Sequence, residues 1–127
     1  EPKVALVASL WEAHCMTLLK IYAQLNCTDI RSSSDWYQEL FGRRNDVDPM
    51  DGLKEWHHGQ DAGFQLVSNP DEAGHGSMTL IVSDLAAEHE RLVRVGLKVG
   101  QIVVGDFALF AQLSDPDGNT VVLAELK

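Results

Sequence analysis

The feature that most constrains this chain is that it repeats. LNCTDIRSSSDWYQELFG (25–42) and LIVSDLAAEHERLVRVG (80–96) both leave an apolar strand end, pass through Thr-Asp-Ile or Ser-Asp-Leu into a helix, and stop at a glycine. Asp29 recurs as Asp84, 55 residues on, and Phe64 in GFQLVSN (63–69) recurs as Val121 in TVVLAEL (120–126), 57 residues on. Self-similarity at about fifty residues marks a duplicated supersecondary unit.

Each half reads strand, helix, then three strands. Alternation and turn residues predict strand Ile21–Cys27, a helix over Ser32–Phe41, and strands near Asn45–Val47, Leu53–His58 and Gly63–Val67. The second half predicts strand Ser77–Val82, a helix over Leu85–Val95, and strands Val99–Val104, Leu109–Leu113 and Thr120–Leu126. Asp29 and Asp84 stand where a carboxylate can take the first free helix amides. Gly42 and Gly96 suit left-handed helix ends. In the first helix Trp36, Tyr37, Leu40 and Phe41 share a side; in the second Leu85, Leu92 and Val95 do so with Ala86 or His89. SNPDEAGHG (68–76) is a linker of turn formers.

At 127 residues the chain suits one domain, expected over 16–127 as modules of about 16–70 and 75–127. Residues 1–15 form an N-terminal extension, native or vector-derived, whose apolar Val4–Trp11 would pack on the sheet or on a partner. With 19 acidic residues against 10 Lys and Arg, the net charge of −9 opposes nucleic acid. It favours cationic small ligands, or simply solubility. No apolar run is long enough to span a bilayer, and the first residues lack a basic flank and an A-x-A site, so a cytoplasmic protein is expected. Cys15 and Cys27 form no zinc pattern, and Cys27 lies on an apolar strand face.

Strand parity sets two faces. Ile21, Ala23, Leu25 and Cys27 point one way; Tyr22, Gln24 and Asn26 point the other. Met78, Leu80 and Val82 alternate in the same way with Ser77, Thr79, Ile81 and Ser83. A mixed polar and aromatic face belongs either to solvent or to a pocket wall.

TDIRSSSDWYQELFG (28–42), FQLVS (64–68), SMTLIVSDL (77–85), RLVRVGL (91–97) and SDPDGNTVVLAEL (114–126) together resemble the vicinal oxygen chelate superfamily, which includes glyoxalase, extradiol dioxygenases and bleomycin-resistance proteins. The resemblance covers about residues 16–127. It implies an α+β fold of two paired βαβββ modules, a curved, cavity-bearing mixed sheet with helices outside. DPDGN itself has half the look of a calcium loop, but Gly118 comes too early and no Glu closes it, so it reads as a hairpin turn.

Metal-dependent members of that superfamily place His and Glu at four inward strand positions. The resemblance puts those positions on Tyr22, Gln65, Ser77 and Val122. This set offers a neutral phenol, an amide, a hydroxyl and an alkyl group, which is poor chemistry for a divalent ion. His57 and His58 are adjacent and point to opposite faces, His75 is in the linker and His89 on a helix. No metal site and no cofactor are therefore expected, and no catalytic residue is assigned. The resemblance implies a bleomycin-resistance-like, metal-independent small-molecule binder, acting by sequestration, as in antibiotic resistance, or as a sensor subunit. Its groove would be shared across a homodimer and its ligand cationic. Tyr22, Gln24, Gln65, Ser77, Thr79 and Val122 are the expected wall, with Trp56 and His58 if their strand faces inward. The alternative is a metal-free isomerase or lyase, with Glu55 or His57 as the acid–base group at that parity and His58 at the other.

Overall fold

A computed structural model describes residues 16–127; the N-terminal stretch 1–15, with Cys15, lies outside the described residues. The elements are β1 (Ile21–Cys27), α1 (Ile30–Phe41), β2 (Val47–Met50), β3 (Leu53–His58), β4 (Ala62–Ser68), a short 3-10 turn (Pro70–Glu72), β5 (Ser77–Ile81), α2 (Leu85–Arg94), β6 (Val103–Val104), β7 (Ala108–Ser114) and β8 (Thr120–Leu126). The two halves form separate four-stranded sheets of identical order, β1-β4-β3-β2 and β5-β8-β7-β6. In each, the first strand pairs in parallel with the fourth and the others are antiparallel. This is the doubled α+β unit that the repeat predicts.

The helices form where the caps and apolar stripes direct. Asp29 accepts from the Arg31 amide, and Gly42 closes α1 with a left-handed φ of 74°. The helix begins at Ile30, two residues before the expected start. Asp84 accepts from the Ala87 amide, and the Glu125 carboxylate on β8 takes the Leu85 amide at 2.8 Å. Tyr37 and Leu40 from α1 and Leu85 and Leu92 from α2 are buried against Leu25, Phe64, Leu66, Leu113, Val121 and Leu123. Tyr37 and Phe64 rings pack at 4.7 Å, and Phe41 lies 5.6 Å from both Trp56 and Phe64. Cys27 is wholly buried there, and burial pushes its thiol up to about 11, so it is an inert core residue.

One expected strand shrinks. Val99–Val104 yields only Val103–Val104, which pairs with Leu109 and Phe110 of β7; Val99 and Ile102 still pack on the core, and ahead of the strand Gly100 N donates to Gln112 O. Val95, expected on the apolar stripe of α2, is 42% exposed.

The turn Ser114–Asn119 does more than reverse the chain. Asp115 Oδ1 accepts from the Asp117 and Asn119 amides, and Gly118 supplies the left-handed φ of 96° that the turn needs. The remaining polar atoms reach the other module. Tyr37 donates its hydroxyl to Asp115 Oδ2 at 2.7 Å. Thr28 N donates to both oxygens of Asp117 at 3.1 and 3.2 Å, and the Ser33 hydroxyl adds a third bond. Asn119 donates to Asn26 O and to Asp115 Oδ2, both at 2.8 Å, and accepts from Gly76 N at 2.9 Å. The turn after β7 thus ties the start of α1 and the end of β1 to the second module. At the far end of α1, Arg91 of α2 donates to Glu39 O and Leu40 O, placing a cation on the helix's negative terminus.

Candidate functional site

Register assigns each sheet a helix face and an open face. In the first sheet Ala23, Leu25, Phe64, Leu66 and Trp56 lie on the helix face, and Tyr22, Gln24, Gln65, Glu55 and His57 on the open face. In the second, Met78, Leu80, Val121 and Leu123 lie toward α2, and Ser77, Thr79, Val122, Gln112 and Phe110 away from it.

The eight expected wall residues therefore divide. Tyr22, Gln24 and Gln65 share the open face of the first sheet, and Gln24 donates to Gln65 at 2.9 Å. Ser77, Thr79 and Val122 share the open face of the second, with Thr79 and Val122 paired across β5 and β8. No hydrogen bond joins the two groups among the described residues. Trp56 and His58 face the helix side. Trp56 is wholly buried, its indole N–H donating to Arg43 O at 3.0 Å, so it is a core aromatic and not a ligand-stacking surface. LKEWHH alternates in either register, and the large apolar area of Trp56 decided which face went inward.

That parity brings Glu55 and His57 to the open face. His57 Nε2 lies 3.0 Å from Glu55 Oε1, and Gln65 donates its Nε2 to Glu55 Oε2 at 2.7 Å. The His57 bond first, then the Gln65 bond, hold the Glu55 carboxyl below its usual value. The His57 amide donates to Asp46 Oδ2 at 2.6 Å, and Arg43 bridges Asp46 and His57 O. The spacing Glu55-x-His57 is the signal that places both groups together, once the strand's parity is known.

An apolar cleft lies elsewhere, at the seam between the modules. It holds about 500 Å³ between β1 and β4 on one side and β5 on the other, and its lining includes Ile21, Phe41, Phe64, Met78, Leu80 and Ile81. Of the expected wall only His58 and Thr79 reach it. The His58 ring packs 4.9 Å from Phe41, and burial, helped by the Arg43 charge, lowers its pKa. This volume is in the range of small-molecule pockets.

The positions at which metal-dependent relatives hold an ion do not fit one here. Val122 has no donor atom, and Gln65 offers only a neutral amide oxygen, which accepts from Gln24. Among the described residues no three His, Cys, Asp or Glu side chains converge, and no described helix is long and apolar enough to cross a membrane.

A family model described as glyoxalase-like domain matches residues 22–124. Among solved structures, a glyoxalase/bleomycin resistance protein from Catenulispora acidiphila DSM 44928 superposes with a TM-score of 0.79 at 24% identity, over 86% of this chain and 99% of that one. TnmS3, an antibiotic binding protein from Streptomyces sp. CB03234, gives 0.72 at 22% identity, over 90% and 98%. A bleomycin-binding protein complexed with bleomycin gives 0.71 at 22% identity, over 85% and 98%. No curated protein matches the chain.

Proposed function

The chain belongs to the glyoxalase-like domain family, and from that premise we propose that it is a metal-independent small-molecule binding protein, acting by sequestration as bleomycin-resistance proteins do. The observation that carries this reading is the open apolar cleft at the module seam. Two similar folds belong to proteins described as binding bleomycin or an antibiotic, which agrees with it. The ligand of this reading is a planar, cationic drug or metabolite, drawn by the net charge of −9. The protein works as a cytoplasmic homodimer, for which exposed Val104, Phe107 and Leu126 beside the free edge of the second sheet offer contact area.

Thermal melting against bleomycin, planar cationic drugs and common metabolites tests the reading. A ligand at a hundred times its Kd adds about 2.7 kcal/mol to stability. Ile81→Trp, which fills the cleft mouth, is expected to abolish that gain. Failure of every compound to raise the melting temperature sinks the binder. Elemental analysis of dialysed protein tests the metal-independent part: stoichiometric zinc, nickel, manganese or iron overturns it. A metal-free isomerase or lyase is the second reading, favoured by the paired Glu55 and His57; a change of mass in a bound compound decides for it.

A further inference from the structure

We propose that the seam cleft selects an uncharged aromatic ring bearing one N–H donor, seated between Phe64, Met78 and Ile81 and held at the rim by the His58 imidazole. Resting on the cleft being the ligand site, this names the part of the ligand that enters; any cationic group stays outside, in the acidic field. The wall in question is not the one that the superfamily resemblance implies, since Tyr22, Gln24, Gln65, Ser77 and Val122 do not reach the cleft.

Floor and rim differ in chemistry. Phe64 and Met78 are buried, and Ala23, Phe41 and Leu80 pack against the core beside them. Ile21 and Ile81, both exposed, stand at the rim on the edge strands β1 and β5. Ala62 pairs with Ile21 on one side and with His58 on the other, which brings the imidazole to the same rim. Among the described residues, His58 is the one ionisable side chain of the lining and Thr79 its one hydroxyl. The His58 ring packs 4.9 Å from Phe41, and neither ring nitrogen has a hydrogen-bond partner among the described residues.

The charges nearby are already matched. Beyond Phe41 and His58 a smaller pocket of about 250 Å³ brings up Arg43, Glu88 and Arg91. Arg43 pairs with Asp46 and donates to His57 O. Arg91 pairs with Glu88 and donates to two carbonyls at the end of α1. His57, next along the strand, lies on the opposite face. A cation or an anion entering the cleft would therefore give up its water without meeting a free counter-charge. A neutral ring carries no such cost and gains Phe41, Phe64 and the Met78 sulfur as contacts. Burial first, then the Arg43 charge, keeps the His58 imidazole neutral below its usual range, and a neutral imidazole has one nitrogen free to accept an N–H.

Indole, N-methylindole and N-methylquinolinium test this at about pH 8, where an ordinary imidazole is neutral. Each is titrated into the full chain, followed by NMR of the methionine methyl groups. Met78 reports the cleft, and Met50 on the edge strand β2 is the control. Indole is expected to shift Met78 saturably and to leave Met50 unmoved. N-Methylindole, the same ring without the donor, should bind about five-fold more weakly, and the quinolinium should leave Met78 unmoved. Acidification to about pH 5 protonates His58 and should bring indole down to the level of N-methylindole. His58→Leu should make the two indoles equal at both pH values, whereas a purely packing role would move both together and keep their ratio. A quinolinium that binds as tightly as indole, equal affinities of the two indoles for the wild-type chain, or a preference that survives His58→Leu overturns the proposal. If no indole shifts Met78 while another compound raises the melting temperature of the wild-type chain and not of Ile81→Trp, the ligand class is wrong and the cleft is still the binding site. If no compound does so, both fall.

Discussion

The two modules share one topology and differ in what their open faces carry. The first presents Gln24, Gln65, Glu55 and His57, joined by hydrogen bonds into one row, with the Tyr22 ring beside His57. The second presents Ser77, Thr79, Ile81, Val122 and Phe110, with no ionisable group among them. Their hairpins differ in the opposite sense. The turn between β3 and β4 is exposed from His58 to Ala62. Its counterpart between β7 and β8 buries Asp115 and Asn119 and holds the modules together. The backbone is common to both copies, and each differs in one place: the first carries the hydrogen-bonded polar row, the second carries the joint.

If that division is right, the two hairpins respond very differently to the same change. Asp115→Ala removes the acceptor of the Tyr37 hydroxyl and of three further donors in a buried turn, and is expected to cost about 3 kcal/mol or more. Gln60→Ala, in the matching turn of the first module, should fall within about 0.5 kcal/mol of wild type. Urea unfolding of the two variants measures both, and equal losses would abolish the distinction. Tyr37→Phe stands between them at about 1–2 kcal/mol, because it deletes one bond and leaves Asp115 with other donors.

Acid should separate the faces of β3 as well. Burial lowers the pKa of His58, so protonating that ring opposes folding. Its contribution is complete above the unfolded value of about 6.5 and is lost as pH falls toward the folded one. The Glu55 pKa is also lowered, by His57 and Gln65; its contribution is complete above about 4.3 and is lost as pH falls further. Melting temperature against pH should therefore show two declines. His58→Gln should flatten the upper one alone and Glu55→Gln the lower one alone. Both are small, since solvent reaches the His58 ring and screens its charge.

What the sequence disclosed and what it withheld follow from the range of the interactions. Strands Ile21–Cys27, Leu53–His58 and Thr120–Leu126 and both helices are written in local periodicity and caps, and they stand within two residues of expectation. The face of β3 is not, because Glu55, Trp56, His57 and His58 give an ambiguous alternation that only the packing of Trp56 against Phe41 and Phe64 resolves. The clasp was invisible for a different reason. SDPDGN has every local mark of a turn, so nothing in it announces that Asp117 will meet Thr28, 89 positions away. The seam cleft belongs to the meeting of two sheets and is encoded in neither.

Two arginines one turn apart on α2 give the smallest contrast and the cleanest one. Arg91 crosses to the other module, donating to Glu39 O at 2.9 Å and Leu40 O at 2.5 Å while its Nε bonds Glu88. Among the described residues Arg94 pairs only with Glu90, both side chains being more than two-thirds exposed. Such a surface i,i+4 pair contributes about 0.3–0.5 kcal/mol, and Arg94→Ala should lose no more. Arg91→Ala forfeits two charge-assisted bonds to helix-end carbonyls that α1 cannot satisfy itself, and should cost about 1–2 kcal/mol. Arg91→Lys separates charge from shape. An ammonium keeps the favourable sign at the α1 terminus but cannot span both carbonyls and Glu88 with a planar fork. It should recover less than half of the loss in urea unfolding; full recovery would mean that the junction there is held by charge alone.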